Sequence, residues 1–421
     1  MDSPLTRRTF LRLGSAAMSM ALTGRHVAIC APSGSGRRTA QRSVSLRDDG
    51  TVLVNGQPFF PFGYYFIGPN YRTADERLAQ HLRALRAMAD AGFNLMYARA
   101  DPTDLRRYGI LLDEAGQRGI SMLTTSASVP YNPTPHDMLP LVTAFQDKPA
   151  VLGWAIADDA GLHDSSPAAI KQVDAAVKAV DPHHLTYLSA VGELNVARFA
   201  SAADLLGCQA FYVHDDRKNW ANPMQYIAPE YVRARALAAS YRHPIIANLQ
   251  TFSWKGERGP GSDPHARWPT AAEVYSMTYQ ALLAGVRGII YYAYQDFHTD
   301  VRAHPDVWQA TVALGQEIRR LRAVILDGMR LAMTTDGGHV RMGGWIYRGD
   351  AYVVVLNTSH TRTFQASLAL PEGTAGPAVP LFPSRSTGLV YRRGRLTGRI
   401  GPSDVHLYVL RMQRAGAVEP A

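Results

Sequence analysis

The chain has 421 residues, of which 46% are hydrophobic and 19% charged, a composition typical of a globular protein with one large domain and a smaller one. The formal charge is +9, but the first 31 residues hold four arginines and one aspartate, contributing +3, so the rest carries +6. This moderate and scattered excess argues against a nucleic-acid partner, which needs a basic stripe, although it would suit an acidic polysaccharide or an anionic surface.

The N-terminus has the pattern of an export signal. Arg7 and Arg8 precede the letters FL, and a short run rich in Ala, Met and Ser follows. Residues 1–31 therefore resemble a twin-arginine signal, which implies contact with the twin-arginine translocase and a periplasmic or extracellular location in a bacterium. The alternative is an ordinary basic helix start. The run is too short to span a bilayer, so we expect no stable membrane insertion after the signal is removed.

Residues 32–43, rich in Ser, Gly and Arg, predict a flexible leader. Next come two turns, Asp49-Gly50 and Asn55-Gly56, which predict a hairpin that feeds a first buried strand. Helix-period segments and short apolar runs then alternate. The predicted helices are 75–91, 101–118, 135–145, 166–180, 229–239, 271–284 and 306–326. The apolar runs predicted as further strands are "FNLMYARA", "SMLTTS", "VLGWAIA", "LTYLSA", "LLGCQAFYV", "PIIANLQTF" and "GIIYYAYQDF".

Eight strand-helix units over about 270 residues match the size of a (β/α)8 TIM barrel. We therefore predict an α/β fold with this barrel over residues 44–327. The alternative is a doubly wound open sheet, but the first strand-helix turn lacks a glycine-rich phosphate loop. After Leu326 the pattern changes to alternating strands with Gly, Pro and Asp turns, which predicts a C-terminal all-β sandwich over 328–415. Cys208 lies in an apolar strand and is interpreted as a buried thiol.

Polar and aromatic side chains close several of the predicted strands, and in a TIM barrel the active site lies at these carboxyl ends. Strand four, "VLGWAIADDA", ends in Asp158 and Asp159, while its Trp154 is expected in the core. Aromatic rings suit the faces of sugars, and acids and amides suit hydroxyls. The expected substrate-binding residues at the other strand ends are Tyr64, Arg99, Tyr212, His214, Gln250, Trp254 and Tyr292. Strand alternation predicts that Tyr292 and Tyr294 share a face and that Tyr291 packs against helices.

Three segments carry a resemblance: "NGQPFFPFGYYF", "GWAIADDA" and "RWPTAAEVYSMTYQALLAGVRGIIYYAY". Together they resemble a large clan of (β/α)8 glycoside hydrolases over residues 44–326. The resemblance implies that Asp159 occupies the place of the general acid/base and Gln250 that of the strand-seven nucleophile. A neutral amide cannot form a glycosyl ester, so the usual retaining mechanism lacks its second carboxylate. Asp159 is shorter than the clan's glutamate but can donate a proton if its pKa is raised.

We therefore expect an exported glycoside hydrolase-like protein that acts on an oligo- or polysaccharide without a cofactor or metal. Asp159 would be the general acid, Asp158 its orienting partner and Asp296 the base for water in an inverting mechanism. Other aspartates could serve as that base, namely Asp101, Asp215 and Asp216. The alternatives are a non-catalytic carbohydrate-binding protein on a hydrolase scaffold, and a polysaccharide lyase or transglycosylase. Strand-end aspartates also form turns and caps, and Arg99 could make a structural ion pair.

Overall fold

The computed structural model describes residues 42–127, 134–163, 166–214, 222–255, 266–336 and 338–413. Several predictions lie outside the described residues: the export signal 1–31, nearly all of the leader, Asp215 and Asp216, and residues 256–265 of the loop after strand seven. Among the described residues, none of the helices is both long and apolar enough to cross a membrane.

A small antiparallel sheet precedes the barrel. Its strands are β1 (Val44–Leu46), β2 (Val52–Val54) and β3 (Gln57–Phe59). The Val44 backbone N–H donates to the carbonyl of His183, and Arg287 donates to the Asp49 carboxylate. His183 and Arg287 stand just before strands five and eight of the barrel, so this sheet covers the amino ends of the strands. The functional site is therefore to be sought at the opposite end.

Eight parallel strands form a closed barrel, each paired with the next and the last with the first. They are β4 (Phe62–Phe66), β5 (Leu95–Ala100), β6 (Ser121–Ser126), β7 (Val151–Ala160), β8 (Leu185–Val191), β9 (Leu205–Ala210), β10 (Ile245–Gln250) and β11 (Ile289–Gln295). All eight were predicted, and closure confirms the barrel over the open sheet. Most of the strands are largely apolar because each is buried on both faces.

Helices cover the outside of the barrel. They are α1 (Ala74–Asp90), α2 (Leu105–Gln117), α3 (Pro135–Phe145), α4 (Pro167–Val180), α5 (Gly192–Phe199), α6 (Met224–Ala238), α7 (Ala271–Ala284) and α8 (Pro305–Asp327). The bounds of α3 and α7 were predicted correctly. The eight-residue α5 was missed, and α6 begins five residues before the predicted start at Pro229, because that proline lies inside the helix and not at its first position.

The barrel has two apolar layers. The larger lies between strands and helices and includes Trp154, which was expected there. The smaller fills the barrel interior and contains three buried tyrosines, Tyr65, Tyr97 and Tyr187. Buried hydroxyls need partners, so the interior carries a hydrogen-bond network together with its packing.

The predicted C-terminal β-sandwich is confirmed. Its strands are β12 (Met329–Thr335), β13 (Val340–Tyr347), β14 (Asp350–Asn357), β15 (Phe364–Ala369), β16 (Thr374–Pro380), β17 (Leu389–Arg392), β18 (Arg395–Ile400) and β19 (Val405–Met412). Five of them pair in the order β12-β13-β14-β19-β16, and the other three in the order β15-β18-β17, around a core of their own. Arg385 joins the sandwich to the barrel through Glu317 of α8, at 2.6 Å.

Candidate active site

The end of β7 departs from regular strand alternation. Ile156 and Ala157, although adjacent, both pack in the helix-side core, and the pairing with β8 shifts register on both sides of Ala157. Asp159 then takes a left-handed backbone conformation with φ of 50°. A bulge re-aims the side chains that follow it. As a result Asp158 and Asp159, which regular alternation would send to opposite faces, both find partners on barrel strands.

Asp158 is buried, with 5% of its surface exposed. Its Oδ2 lies 3.9 Å from Nη2 of Arg99, and its Oδ1 accepts the backbone N–H of Asp159 at 3.1 Å. Burial, followed by the negative charge of Asp159, raises the pKa of Asp158 to about 8, against the opposing effect of Arg99. Asp158 therefore holds a proton at neutral pH.

Asp159 is less buried and joins a chain of side chains across three strands. Nε2 of Gln209 donates to its Oδ1 at 2.7 Å and also to Oγ of Ser189 at 2.8 Å. Nδ2 of Asn248 donates to the same Ser189 oxygen at 2.8 Å. The pair of aspartates is thus linked to the ends of strands five, six and seven, and its contacts are not limited to the backbone of its own turn.

The network continues into the tyrosines of the barrel interior. Asn248 donates to the Tyr65 hydroxyl at 3.1 Å and accepts from the Tyr187 hydroxyl at 3.0 Å. The two hydroxyls are 2.8 Å apart. Sequence reasoning missed Ser189, Gln209 and Asn248, although Ser189 and Gln209 are polar residues near the ends of apolar strands and Asn248 stands two positions before Gln250, on the same face of β10.

An aromatic wall stands at the ends of strands six, seven and eight, formed by Phe211, His214, Phe252, Trp254 and Tyr292. The ring of Phe252 lies 4.9 Å from that of Trp254 and 5.7 Å from that of Tyr292. His214 stacks on Trp254 at 5.0 Å with the rings nearly parallel. The structure brings the predicted His214, Trp254 and Tyr292 together. Tyr292 also lies 5.4 Å from Tyr65, which connects the wall to the interior network.

Two predicted substrate-binding tyrosines face the helices, which corrects their assignment. Tyr64 is fully buried, and its hydroxyl donates to Oγ1 of Thr311 on α8 at 2.9 Å. Its neighbour Tyr65 takes the interior face. Tyr212 donates to Oε2 of Glu230 on α6 at 2.5 Å. Tyr64 therefore belongs to the helix-side core, and the hydroxyl of Tyr212 is bound to a helix.

On strand eight, too, one tyrosine lies on a different face from the one predicted. Tyr291 packs on the helix side, as predicted, but Tyr294 does so too, with its ring 5.5 Å from Trp308. The expectation that Tyr294 shares a face with Tyr292 is wrong because the pairing with β4 shifts between Tyr291 and Gln295. Only Tyr292 of the two contributes to the aromatic wall.

Gln250 and Asp296 both bind backbone groups. Oε1 of Gln250 accepts from the Val213 N–H at 2.9 Å, while Nε2 donates to the carbonyls of Val213 and Phe252. The amide is fully buried, which corrects its assignment as a substrate ligand. Oδ1 of Asp296 accepts from the N–H groups of the two residues that close its turn, His298 and Thr299, at 2.8 and 2.6 Å. This is the turn-forming alternative for a strand-end aspartate.

Within the described ranges, no three His, Cys, Asp or Glu side chains converge so that they could hold a metal ion. Cys208 is buried, as predicted. The end of strand four brings together two adjacent carboxyls, of which Asp158 has a raised pKa, with Arg99 on one side and the amide of Gln209 on the other.

Comparison with known proteins gives a fold and no closer relationship. No protein-family model and no curated protein matches the sequence. Among solved structures, a glycoside hydrolase superposes with a TM-score of 0.59 at 12% identity, covering 89% of this chain and 97% of the other. The α-amylase of Geobacillus thermoleovorans, complexed with acarbose, gives 0.53 at 12% identity over 88% and 100%. A family 39 glycoside hydrolase of Bacteroides cellulosilyticus WH2 gives 0.53 at 10% over 87% and 82%. The chain thus has the TIM-barrel fold found in glycoside hydrolases, with a β domain after it.

Proposed function

We propose that this protein hydrolyses glycosidic bonds in an oligo- or polysaccharide, with Asp158 and Asp159 as its catalytic carboxyls. The observation that carries the proposal is a pair of adjacent carboxyls at the end of strand four, where burial raises the pKa of Asp158 to about 8. Acid/base hydrolysis needs one carboxyl that can give a proton and one that can accept it. A carboxyl whose pKa is raised by burial next to a second carboxyl is typical of catalytic sites.

In the proposed reaction, the proton of Asp158 goes to the glycosidic oxygen as its bond to the anomeric carbon breaks. A water oxygen bonds to that carbon, and Asp159 accepts the proton that the water loses. Gln209, which donates to Asp159 at 2.7 Å, holds this carboxylate in place. The expected roles of the two aspartates are thereby exchanged, because burial favours the neutral form of Asp158. No strand-seven nucleophile is required.

The aromatic wall supports a sugar substrate. Trp254 and Tyr292 are both partly exposed, and their rings lie beside that of Phe252. Flat aromatic faces with a polar edge are suited to pyranose rings, whose axial C–H groups form an apolar surface. Tyr292 of the wall contacts Tyr65, and a hydrogen-bond chain leads from Tyr65 to Asp159. Because the wall and the acid pair both stand at the carboxyl ends of the strands, we expect a sugar stacked on the wall to lie at the same rim as the carboxyls.

The second candidate is a non-catalytic carbohydrate-binding protein. Gln250 stands where the resembling hydrolases have their nucleophile, and its amide is committed to the backbone of Val213 and Phe252. A barrel that has lost this carboxylate can keep its sugar-binding surface, since fold alone does not fix function. The two candidates make the same prediction for binding and opposite predictions for sugar release.

The test is sugar release from a panel of bacterial and plant polysaccharides by the wild-type protein, Asp159→Asn and Asp75→Asn. Asp75 is an exposed aspartate of α1 that pairs with Arg107, and it serves as the matched control. We expect release by the wild type and the control, and about 100-fold slower release by Asp159→Asn, the usual contribution of a positioned acid or base. Undiminished release by Asp159→Asn would contradict the mechanism, and sugar binding without release would favour the second candidate.

We also propose that Arg7 and Arg8 direct export through the twin-arginine translocase to the periplasm or beyond. Replacing both arginines by lysine should leave the protein in the cytoplasmic fraction of a bacterial host, as an immunoblot of cell fractions would detect. Export of the double variant at the wild-type level would contradict this proposal.

A further inference from the structure

A cavity of about 280 Å³ lies at the carboxyl ends of the first strands of the barrel, beside the acid pair. It is lined by groups from α1, β5 and the loops after β4, β6 and β11. The lining side chains that matter are Asn70, Tyr71, Arg77, His81, Arg99 and Phe297. Arg99 also approaches Asp158 at 3.9 Å, so the cavity and the acid pair are neighbours.

Two guanidinium groups give the cavity its charge. Arg77 lies against the Tyr71 ring, with its central carbon 5.5 Å from the ring centre, and forms an ion pair with Asp101. Arg99 enters from the end of β5. Arginine remains charged at any relevant pH and donates several hydrogen bonds in a planar fork, a geometry that matches carboxylate, sulfate and phosphate groups.

His81 supplies an acceptor on the same cavity. It is only 4% exposed, and its Nδ1 lies 2.8 Å from the carbonyl oxygen of Arg77, so Nδ1 carries the hydrogen and Nε2 is left as an acceptor. Burial lowers the pKa of His81 to about 4, which keeps the ring neutral. Within the part of the chain that the structure describes, neither Nε2 of His81 nor the hydroxyl of Tyr71 has a hydrogen-bond partner.

Unpartnered buried polar atoms are costly, and a ligand that pairs with them gains binding energy. The cavity offers guanidinium donors, a tyrosine hydroxyl and a neutral imidazole acceptor within one space. Such a set fits a ligand that carries both an anionic group, for the arginines, and a hydroxyl, for the imidazole. An anionic group could use N–H donors of Arg77 beyond those that pair with Asp101, whereas a neutral sugar would offer the two guanidinium groups no negative charge.

We propose that this cavity binds one anionic sugar residue of the substrate, through a carboxylate, sulfate or phosphate group held by Arg77 and Arg99. This inference rests on the proposed function and narrows it to acidic saccharides. At about 280 Å³ the cavity lies just below the range of pockets for drug-sized ligands, which suits a single sugar residue better than several. The net positive charge of the chain would assist the approach of such a substrate.

The test is a titration of the wild-type protein, followed by NMR, with glucuronate, glucose 6-sulfate, glucose 6-phosphate and glucose. We expect at least one of the three anions to bind tenfold or more tightly than glucose, with the preference reduced at high salt. The anion that binds best identifies the acidic group. Binding of glucose as tight as that of every anion, or binding of none of the four, would overturn the inference.

Two variants and a control test whether the anion binds in this cavity. Arg77→Gln should weaken binding of the best anion about 10- to 100-fold, the range for a charge-assisted hydrogen bond. Tyr71→Phe, which removes only a hydroxyl, should weaken it several-fold while preserving the fold. Arg86→Gln is the matched control, because Arg86 lies on the same helix in a similar ion pair with Glu114. Unchanged binding in both Arg77→Gln and Tyr71→Phe would overturn the assignment.

This binding test does not depend on catalysis. If anions bind at the cavity but no polysaccharide is cleaved, the proposed hydrolysis fails while the acidic-sugar site stands. If only neutral polysaccharides are cleaved and anions do not bind, the hydrolysis stands and the acidic-sugar site fails.

Discussion

Replacing Asp158 by asparagine should stabilise the fold and abolish sugar release. The pKa of Asp158 is about 8 in the folded protein, against an ordinary value of 3.8, with burial as the main cause. The folded state therefore binds a proton that the unfolded state has lost between about pH 4 and pH 8, so stability is greatest below this window and falls as the pH rises through it. At pH 7, about 3 pH units above the ordinary pKa, the free energy of unfolding is reduced by on the order of 4 kcal/mol.

Asparagine is neutral at every pH and avoids this loss. Its side-chain oxygen can still accept the N–H of Asp159, which lies 3.1 Å from Oδ1 in the wild type. For a compact unit of the size of Gln41–Ala421, about 4 kcal/mol corresponds to a rise in melting temperature of about 5 °C. Catalytic groups often lower the stability of the fold, so a variant that is more stable but inactive is the result expected for a catalytic residue.

The assay is thermal unfolding of the wild type and Asp158→Asn between pH 5 and pH 8, with Asp181→Asn as control. Asp181 is equally buried, but its hydrogen bonds with His184 and Trp154, each 2.7 Å, outweigh burial and hold its pKa below the ordinary value. The control should therefore lose stability at pH 7, the opposite sign. If Asp158→Asn melts below the wild type at pH 7, or keeps the wild-type dependence on pH, the account of its protonation is wrong.

Three further variants probe neighbouring parts of the site. Gln250→Glu should lower the free energy of unfolding by about 3 kcal/mol, because the new carboxylate would face two backbone carbonyls. A variant that is as stable as the wild type by calorimetry and releases sugar faster would contradict this. Trp254→Ala should raise KM about tenfold through lost stacking, with little change in melting temperature; steady-state kinetics with an unchanged KM would remove it from the sugar site. Tyr64→Phe should lower the free energy of unfolding by about 1 kcal/mol, because it loses the hydrogen bond to Thr311, and should leave kcat unchanged. Tyr65→Phe should lower kcat, and equal effects of the two variants on kcat would refute the assignment of faces.

The barrel was predictable because apolar residues recur with a different spacing in helices and in strands, and this difference is seen in many successive segments of the chain. Eight apolar runs separated by amphipathic segments leave few alternatives to a closed parallel barrel. The position of Asp158 and Asp159 at the end of strand four followed directly. The proximity of His214, Trp254 and Tyr292 was predictable because the carboxyl ends of neighbouring strands must meet at one rim.

The faces of individual residues were not predictable from the sequence. Every residue of β4 is buried, so nothing in "FGYYF" distinguishes the interior position of Tyr65 from the helix-side position of Tyr64. In β7 and β11, register shifts reverse the alternation near the strand end, and a shift of one residue sends each following side chain to the other face. Such shifts arise from pairing between distant strands and leave no mark in the local sequence.

The most direct test of the acid pair is the pH profile of kcat/KM for a polysaccharide that the wild-type protein cleaves. The proton that Asp158 donates is lost near pH 8, so the account predicts a rate that falls about tenfold for each pH unit above that value. A rate that stays constant up to pH 10, or that declines only above it, would contradict the assignment of Asp158 as the proton donor.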